Sequence, residues 1–134
     1  FTRAYICPKA SYALTHPPQR NPLCFTISRS YGMNQTILGI SGGWGSSNFM
    51  GLRLSQIKNP SSKSMFNDAT DWMVTKSAST YSNYLSSGEE KTGGLNNVTA
   101  YRHNSSVNIG FYDGHAGSLH YTNYQQNSLY WDNN

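Results

Sequence analysis

Apolar and polar positions alternate most regularly near the end of the chain, where Val107, Ile109 and Phe111 stand between Asn108, Gly110 and Tyr112. That period of two is what a strand with one buried face requires. Asp113-Gly114 follows, and Asp-Gly between apolar alternations predicts a hairpin with a two-residue loop, because a type I′ turn needs positive φ at both central positions. The register so predicted faces Tyr112 with His115, Phe111 with Ala116 and Ile109 with Ser118. One face of the 107–121 hairpin then carries Val107, Ile109, Phe111, Ala116 and His120, and the other carries Tyr112, His115 and Leu119. A slip of one residue would invert this assignment.

Upstream the pattern is more broken. Ala4-Tyr5-Ile6-Cys7 reads as a strand-like start, and residues 15–22 as a proline-punctuated loop. A strand pattern resumes at Phe25-Thr26-Ile27 and runs into Ser30-Tyr31-Gly32. Residues 41–47, glycine-rich around Trp44, form the next break. Ser55 is placed to cap one helical turn reaching Lys58, which Pro60 stops. Lys63 to Asn67 reads as a buried strand, ending at Asp68. Residues 77–97 turn to Ser, Gly, Asn and charge, with a short helix expected over Tyr81 to Leu85 and an exposed loop at Glu89-Glu90. The tail after Tyr121 is rich in Asn, Gln and Tyr and gives no clear signal.

Composition narrows the class. Ser, Asn and Gly supply 19, 14 and 12 of the 134 residues and only 12% are charged, which favours loops and short strands over long helices in a single domain, 1–134. A net charge of +4 raises the question of nucleic acid. The ten Lys and Arg are scattered singly from Arg3 to Arg102, however, and form no stripe along which a phosphate backbone could run, so no nucleic-acid partner is expected. No apolar run approaches the roughly 20 residues that cross a bilayer.

The hairpin residues also carry a resemblance. His103, a nine-residue spacer and Asp113-Gly114-His115 match the signature of the bacterial prepilin-type processing-associated H-X9-DG family, whose members look like pseudopilins of type II secretion-like systems. Ile6-Cys7-Pro8, Ser30-Tyr31-Gly32-Met33-Asn34, and Leu54 to Ser61 running on to Met65-Phe66-Asn67-Asp68 resemble the same family in the same order, so the similarity spans about Tyr5 to Tyr121. It implies an α+β, pilin-like or pseudopilin-like domain that is mostly β here, with an antiparallel sheet and with a membrane-embedded N-terminal helix missing from the sequence, which opens at Phe1. It further implies a non-enzymatic structural subunit of a pseudopilus or type IV pilus-like fibre in the bacterial cell envelope. Its periplasmic or extracellular domain would be anchored in the inner membrane by that helix, with other pseudopilin subunits and the secretion machinery as partners.

The chemistry-bearing residues are few. Cys7 and Cys24 are the only cysteines, and an even count in an exported type of chain suggests a disulfide, two buried free thiols being the alternative. His103, Asp113 and His115 are the candidate site, joined by Asp68 because the resemblance places an acidic residue at that strand end. Imidazole and carboxylate are both competent ligands, so the four are candidates for a divalent metal. The alternative, which we favour, is a structural clamp in which His103 bonds the Asp113-Gly114 turn, with no cofactor required. Pseudopilins similar to this chain carry calcium in their C-terminal region, but here only Glu89, Glu90, Asp113 and Asp132 offer carboxylates, few for an ion that takes six to eight oxygens. No G-x-S-x-G, H-E-x-x-H or phosphate-binding glycine loop is present, and Ser105 and Ser106 lie too close to His103 in sequence to count as a triad, so no enzyme is expected. An alternative role on the same fold is extracellular glycan binding or adhesion, with Trp44 as the exposed stacking platform.

Overall fold

The computed structural model describes residues 7–10, 30–37, 53–71, 73–87 and 97–133. Five strands form one mixed sheet: β1 (Tyr31–Asn34), β2 (Ser64–Asp68), β3 (Met73–Val74), β4 (Ser106–Phe111) and β5 (Ala116–His120), in the order β3-β1-β2-β4-β5. The expectation of a mostly β chain holds. The sheet is not wholly antiparallel, since β3 returns to pair with β1 in parallel. The helices are short: α1 (Tyr81–Ser87), α2 (Tyr121–Tyr124) and α3 (Ser128–Trp131), besides a 3-10 turn at Leu54–Gln56 just ahead of Pro60. No helix among the described residues is long and apolar enough to cross a membrane.

The hairpin forms where the alternation places it, but in the other register. Ser106 pairs with His120, Val107 with Leu119 and Ile109 with Gly117. Phe111 N–H donates to His115 O at 2.9 Å and Gly114 N–H to Phe111 O at 3.0 Å, so the loop is Tyr112-Asp113-Gly114, three residues rather than two. Only Gly114, at φ +94°, has positive φ there, as in a three-residue loop that ends on a glycine. This is the one-residue slip that inverts the faces. Leu119 and Gly117 now share the core side with Val107, Ile109 and Phe111, while Ala116 and His120 face outward. Burying Leu119 instead of Ala116 and His120 favours this register, because apolar burial scales with the area removed from water. The stacking of His115 on Phe111 adds to it, at 4.2 Å between ring centres and 5° between planes.

Strand β2 lies where a buried strand ending at Asp68 is expected, but its buried side chains are the polar ones. Ser64, Asn67 and Asp68 are buried while Met65 and Phe66 are exposed. A register irregularity between Ser64 and Phe66 against β4 explains the pattern: the extra residue lets Ser64 and Asn67, of opposite parity, both face the core. Phe66 pairs with Gly110 on the other side, and its ring lies where a side chain at 110 would be.

The tail without a sequence signal closes the core. Tyr124 and Trp131 are fully buried and pack with Val107, Ile109 and Phe111. Polar side chains under them bond one another and the tail backbone, with Asn67 Oδ1 left without a partner. Asn67 Nδ2 donates to Tyr124 Oη at 2.7 Å and to Thr99 Oγ1 at 3.1 Å, and Lys63 Nζ donates to Leu129 O at 2.7 Å. Asn34 Nδ2 bonds Ser64 Oγ at 3.1 Å and reaches Trp131 O at 3.4 Å. Helix α1 begins where expected, with Thr80 Oγ1 accepting from Asn83 N–H at 3.1 Å. It sets Tyr81 flat on Tyr121, with ring centres 4.1 Å apart, over the buried edge of Tyr101.

Candidate functional site

The site is best built from Asp68, the last residue of β2. It pairs in register with Tyr31 of β1 and is wholly buried. Its Oδ2 accepts from Asn108 N–H of β4 at 2.8 Å, and Arg102 Nη1 lies 3.8 Å from Oδ1. Arg102 is itself fixed by the carbonyls of Ser30, at 3.0 Å, and Ala69, at 2.8 Å. Burial drives the Asp68 carboxyl above its ordinary range, against the opposing pull of the Asn108 amide, Arg102, His103 and Cys7.

His103 opens the turn that leads into β4. Its N–H and C=O both bond Ser106, at 3.2 and 3.1 Å, around Asn104 and Ser105 with φ of 53° and 60°. Positive φ at both central residues is the turn geometry that the sequence had suggested for Asp113-Gly114. The tight turn aims the imidazole back at β2, with Nε2 3.4 Å from Asp68 Oδ2.

The third member comes from the other end of the chain. Cys7 starts the turn Cys7-Pro8-Lys9-Ala10, closed by Ala10 N–H to Cys7 O at 2.8 Å, with Pro8 at the second position, which suits its fixed φ. Ser30 Oγ accepts from Cys7 N–H at 2.6 Å, and Tyr31 packs against Cys7 and Ala10. Buried Cys7 Sγ then sits 3.3 Å from His103 Nε2, across 96 positions of sequence. Burial first, then the neighbouring Cys7 and Asp68, push the Tyr31 phenol above its ordinary range, which Arg102 partly offsets.

The four candidates named from sequence thus divide into two pairs. His103 and Asp68 come together. Asp113 and His115 form a separate exposed pair at the hairpin tip, Oδ1 to Nδ1 2.6 Å, and the His115 bonds hold the Asp113 carboxyl below its ordinary range. The two pairs lie at opposite ends of six-residue β4, roughly 17 Å of strand at about 3.4 Å per residue. His103 therefore does not clamp the Asp113-Gly114 turn; it clamps β2 and the Cys7 turn. Among the described residues, Cys7, Asp68 and His103 are the one group of three such side chains with ligand atoms mutually within 4.8 Å. Asp132 is paired with Lys76 at 2.6 Å instead.

Cys7 carries a free, buried thiol. Cys24 lies outside the described residues, as do Trp44, Glu89 and Glu90. None of the eight described tyrosines is exposed. Arg102 is the member that sequence reasoning missed; Cys7 was named only as a disulfide candidate and Tyr31 only within the Ser30-Tyr31-Gly32-Met33-Asn34 segment, and neither was placed with His103 and Asp68.

The geometry is not that of a nucleophile-histidine-carboxylate relay, in which the imidazole uses opposite nitrogens for its two partners. Here thiol and carboxylate converge on the same nitrogen. No family model, curated protein or solved structure matches this chain.

Proposed function

We propose that this chain is a non-enzymatic structural module of a bacterial pseudopilus or type IV pilus-like secretion fibre, held at the cell envelope by a segment N-terminal to the sheet. The observation that carries the reading is the way the H-X9-DG spacing maps onto one structural unit. His103 lies in the turn that opens β4 and Asp113-Gly114 in the turn that closes it, so the nine intervening residues are essentially the strand itself. The histidine also reaches Cys7, and so ties the sheet to the N-terminal side of the chain.

That attachment has a direction. Tyr31, Met33, Phe66 and Asp68 share one sheet face by register, and the Cys7 turn docks at the Tyr31-Asp68 end of it. Phe66 is exposed farther along the same face, Met33 half-buried beside it. A membrane-leading helix arriving through Cys7 would therefore approach the face on which apolar side chains remain open. The opposite face is already filled by Tyr124 and Trp131.

The test is assembly. Full-length protein that includes its N-terminal segment, expressed with a secretion or pilus apparatus, is expected to enter envelope-associated multimers that cysteine cross-linking along the Phe66 face can trap. Full-length protein that stays monomeric and enters no fibre or envelope complex would sink the reading.

A further inference from the structure

We propose that Cys7, Asp68 and His103 form a zinc site, with thiolate, carboxylate and imidazole as three ligands and water as the fourth. The inference stands apart from the fibre reading and rests on the cluster alone.

Three features point to a cation between these groups. The first is hydrogen-bond arithmetic. His103 Nε2 faces Cys7 Sγ at 3.3 Å and Asp68 Oδ2 at 3.4 Å, yet one ring nitrogen carries either a single proton or a single lone pair. It can make one good hydrogen bond, not two, and a Cys7 thiol that turns to the Asp68 carboxylate leaves its contact with His103 unmade, whereas an ion placed among the three ligand atoms engages all of them. Asp68 Oδ1 takes no part in this convergence and faces Arg102 Nη1 at 3.8 Å.

The second feature is the spacing. With zinc about 2.3 Å from sulfur and about 2.0–2.1 Å from nitrogen or oxygen, tetrahedral angles place sulfur and nitrogen roughly 3.5 Å apart and nitrogen and oxygen roughly 3.3 Å apart. The observed 3.3 and 3.4 Å are close to those edges, and all three ligand atoms lie within 4.8 Å of one another.

The third is the support around the ligands. Asn108 N–H holds the Asp68 carboxylate, Ser30 Oγ holds the Cys7 backbone, and the Asn104-Ser105 turn fixes the backbone of His103. Such outer contacts orient ligands before an ion arrives. Thiolate with imidazole selects a d-block ion over calcium or magnesium, which prefer all-oxygen sites. Two anionic ligands match the charge of Zn²⁺, and Arg102 is anchored on the Oδ1 side by the Ser30 and Ala69 carbonyls. Cys7 and Asp68 are buried while His103 is partly exposed, so the water position lies toward the histidine side.

The experiment uses the whole 134-residue chain, reduced and purified without chelator. Elemental mass spectrometry is expected to find one zinc per chain, and replacement by Co²⁺ to give the intense near-ultraviolet absorption of a thiolate-cobalt bond. His103→Gln should weaken Zn²⁺ binding by more than the roughly 10- to 100-fold that follows loss of a supporting group. Cys7→Ser should abolish the cobalt band, Cys24→Ser should retain it, and His115→Gln at the hairpin tip should leave binding unchanged. Should Cys7→Ser fail to fold, the wild-type and Cys24→Ser spectra decide the matter. No zinc and no cobalt band, a band lost in Cys24→Ser, or a chain whose two cysteines resist alkylation until reduced would each overturn the site.

Discussion

At Gly114 the backbone stands at φ +94°, a conformation that L side chains avoid, although nothing lies within 4 Å of where a Cβ would project. Substitution Gly114→Ala therefore tests conformation alone, and urea denaturation should show a loss of about 1–2 kcal/mol. Gly110 is the opposite case. Its backbone is ordinary strand, but an added Cβ would clash with the Phe66 ring. Gly110→Ala should destabilise through that clash, and the loss should shrink in a Phe66→Ala background, a non-additivity that a double-mutant cycle reads directly. The two glycines differ in how legible they were. Asp113-Gly114 announces a turn through local sequence, whereas the need at Gly110 comes from a ring on a strand more than 40 positions earlier, which no local pattern reports. Cys7 shows the same limit: cysteine counting offers only Cys24 as a partner, while packing brings His103 and Asp68 beside it.

Among the elements, β2, β4, β5 and α1 stand where the residues that compose them suggest, but the faces of β2 and the packing of the tail do not follow from them. Period two located the hairpin, but one loop residue more than the Asp-Gly signal suggests reversed its faces, because a register is settled by which side chains gain burial. The bulge in β2 hides Asn67 and Asp68 behind a pattern that reads as alternating only if Met65 is skipped. The tail is polar in composition, yet its helices are held by single anchors, Tyr124 and Trp131, and by polar pairs such as Lys76 with Asp132. That pair carries a pH signature. Burial alone would raise the Asp132 pKa, but hydrogen bonds from Lys76 and Ser128, with the Lys76 charge, outweigh it and hold the carboxyl below its ordinary 3.8. A depressed folded value means that the stabilisation is fully present above about pH 3.8 and is lost as pH falls through the lower folded value. Asp132→Asn should thus cost up to about 1 kcal/mol at neutral pH, since the pair is partly screened by solvent, and should flatten the acid limb of the stability profile below pH 4. Thermal melts of both chains from pH 2 to 7 check it; parallel acid limbs would remove the pair as a source of pH dependence.

At the scale of the molecule, the cluster at Asp68 joins the first described turn, the middle of the sheet and the entry to its last hairpin. Cys7 and His103 are 96 positions apart, so their contact closes a loop that holds β1, β2, β3 and α1 and leaves the hairpin and tail outside it. A ligand that requires Cys7, Asp68 and His103 together binds the folded chain and has no preformed site in the unfolded one. Its stabilisation should therefore appear in global unfolding, with a melting temperature that climbs with free zinc and a gain of about 2.7 kcal/mol when zinc stands at 100 times its dissociation constant. Local fraying of the hairpin tip, where Asp113 and His115 sit, should not respond. Amide exchange separates the two: zinc should slow exchange at Asn108 and Ile109, in the strand beside Asp68, and leave the amides of Tyr112 to Gly114 unchanged. Protection confined to the tip would return the motif to the Asp113-His115 pair and leave Cys7 as a buried thiol with a structural bond to His103.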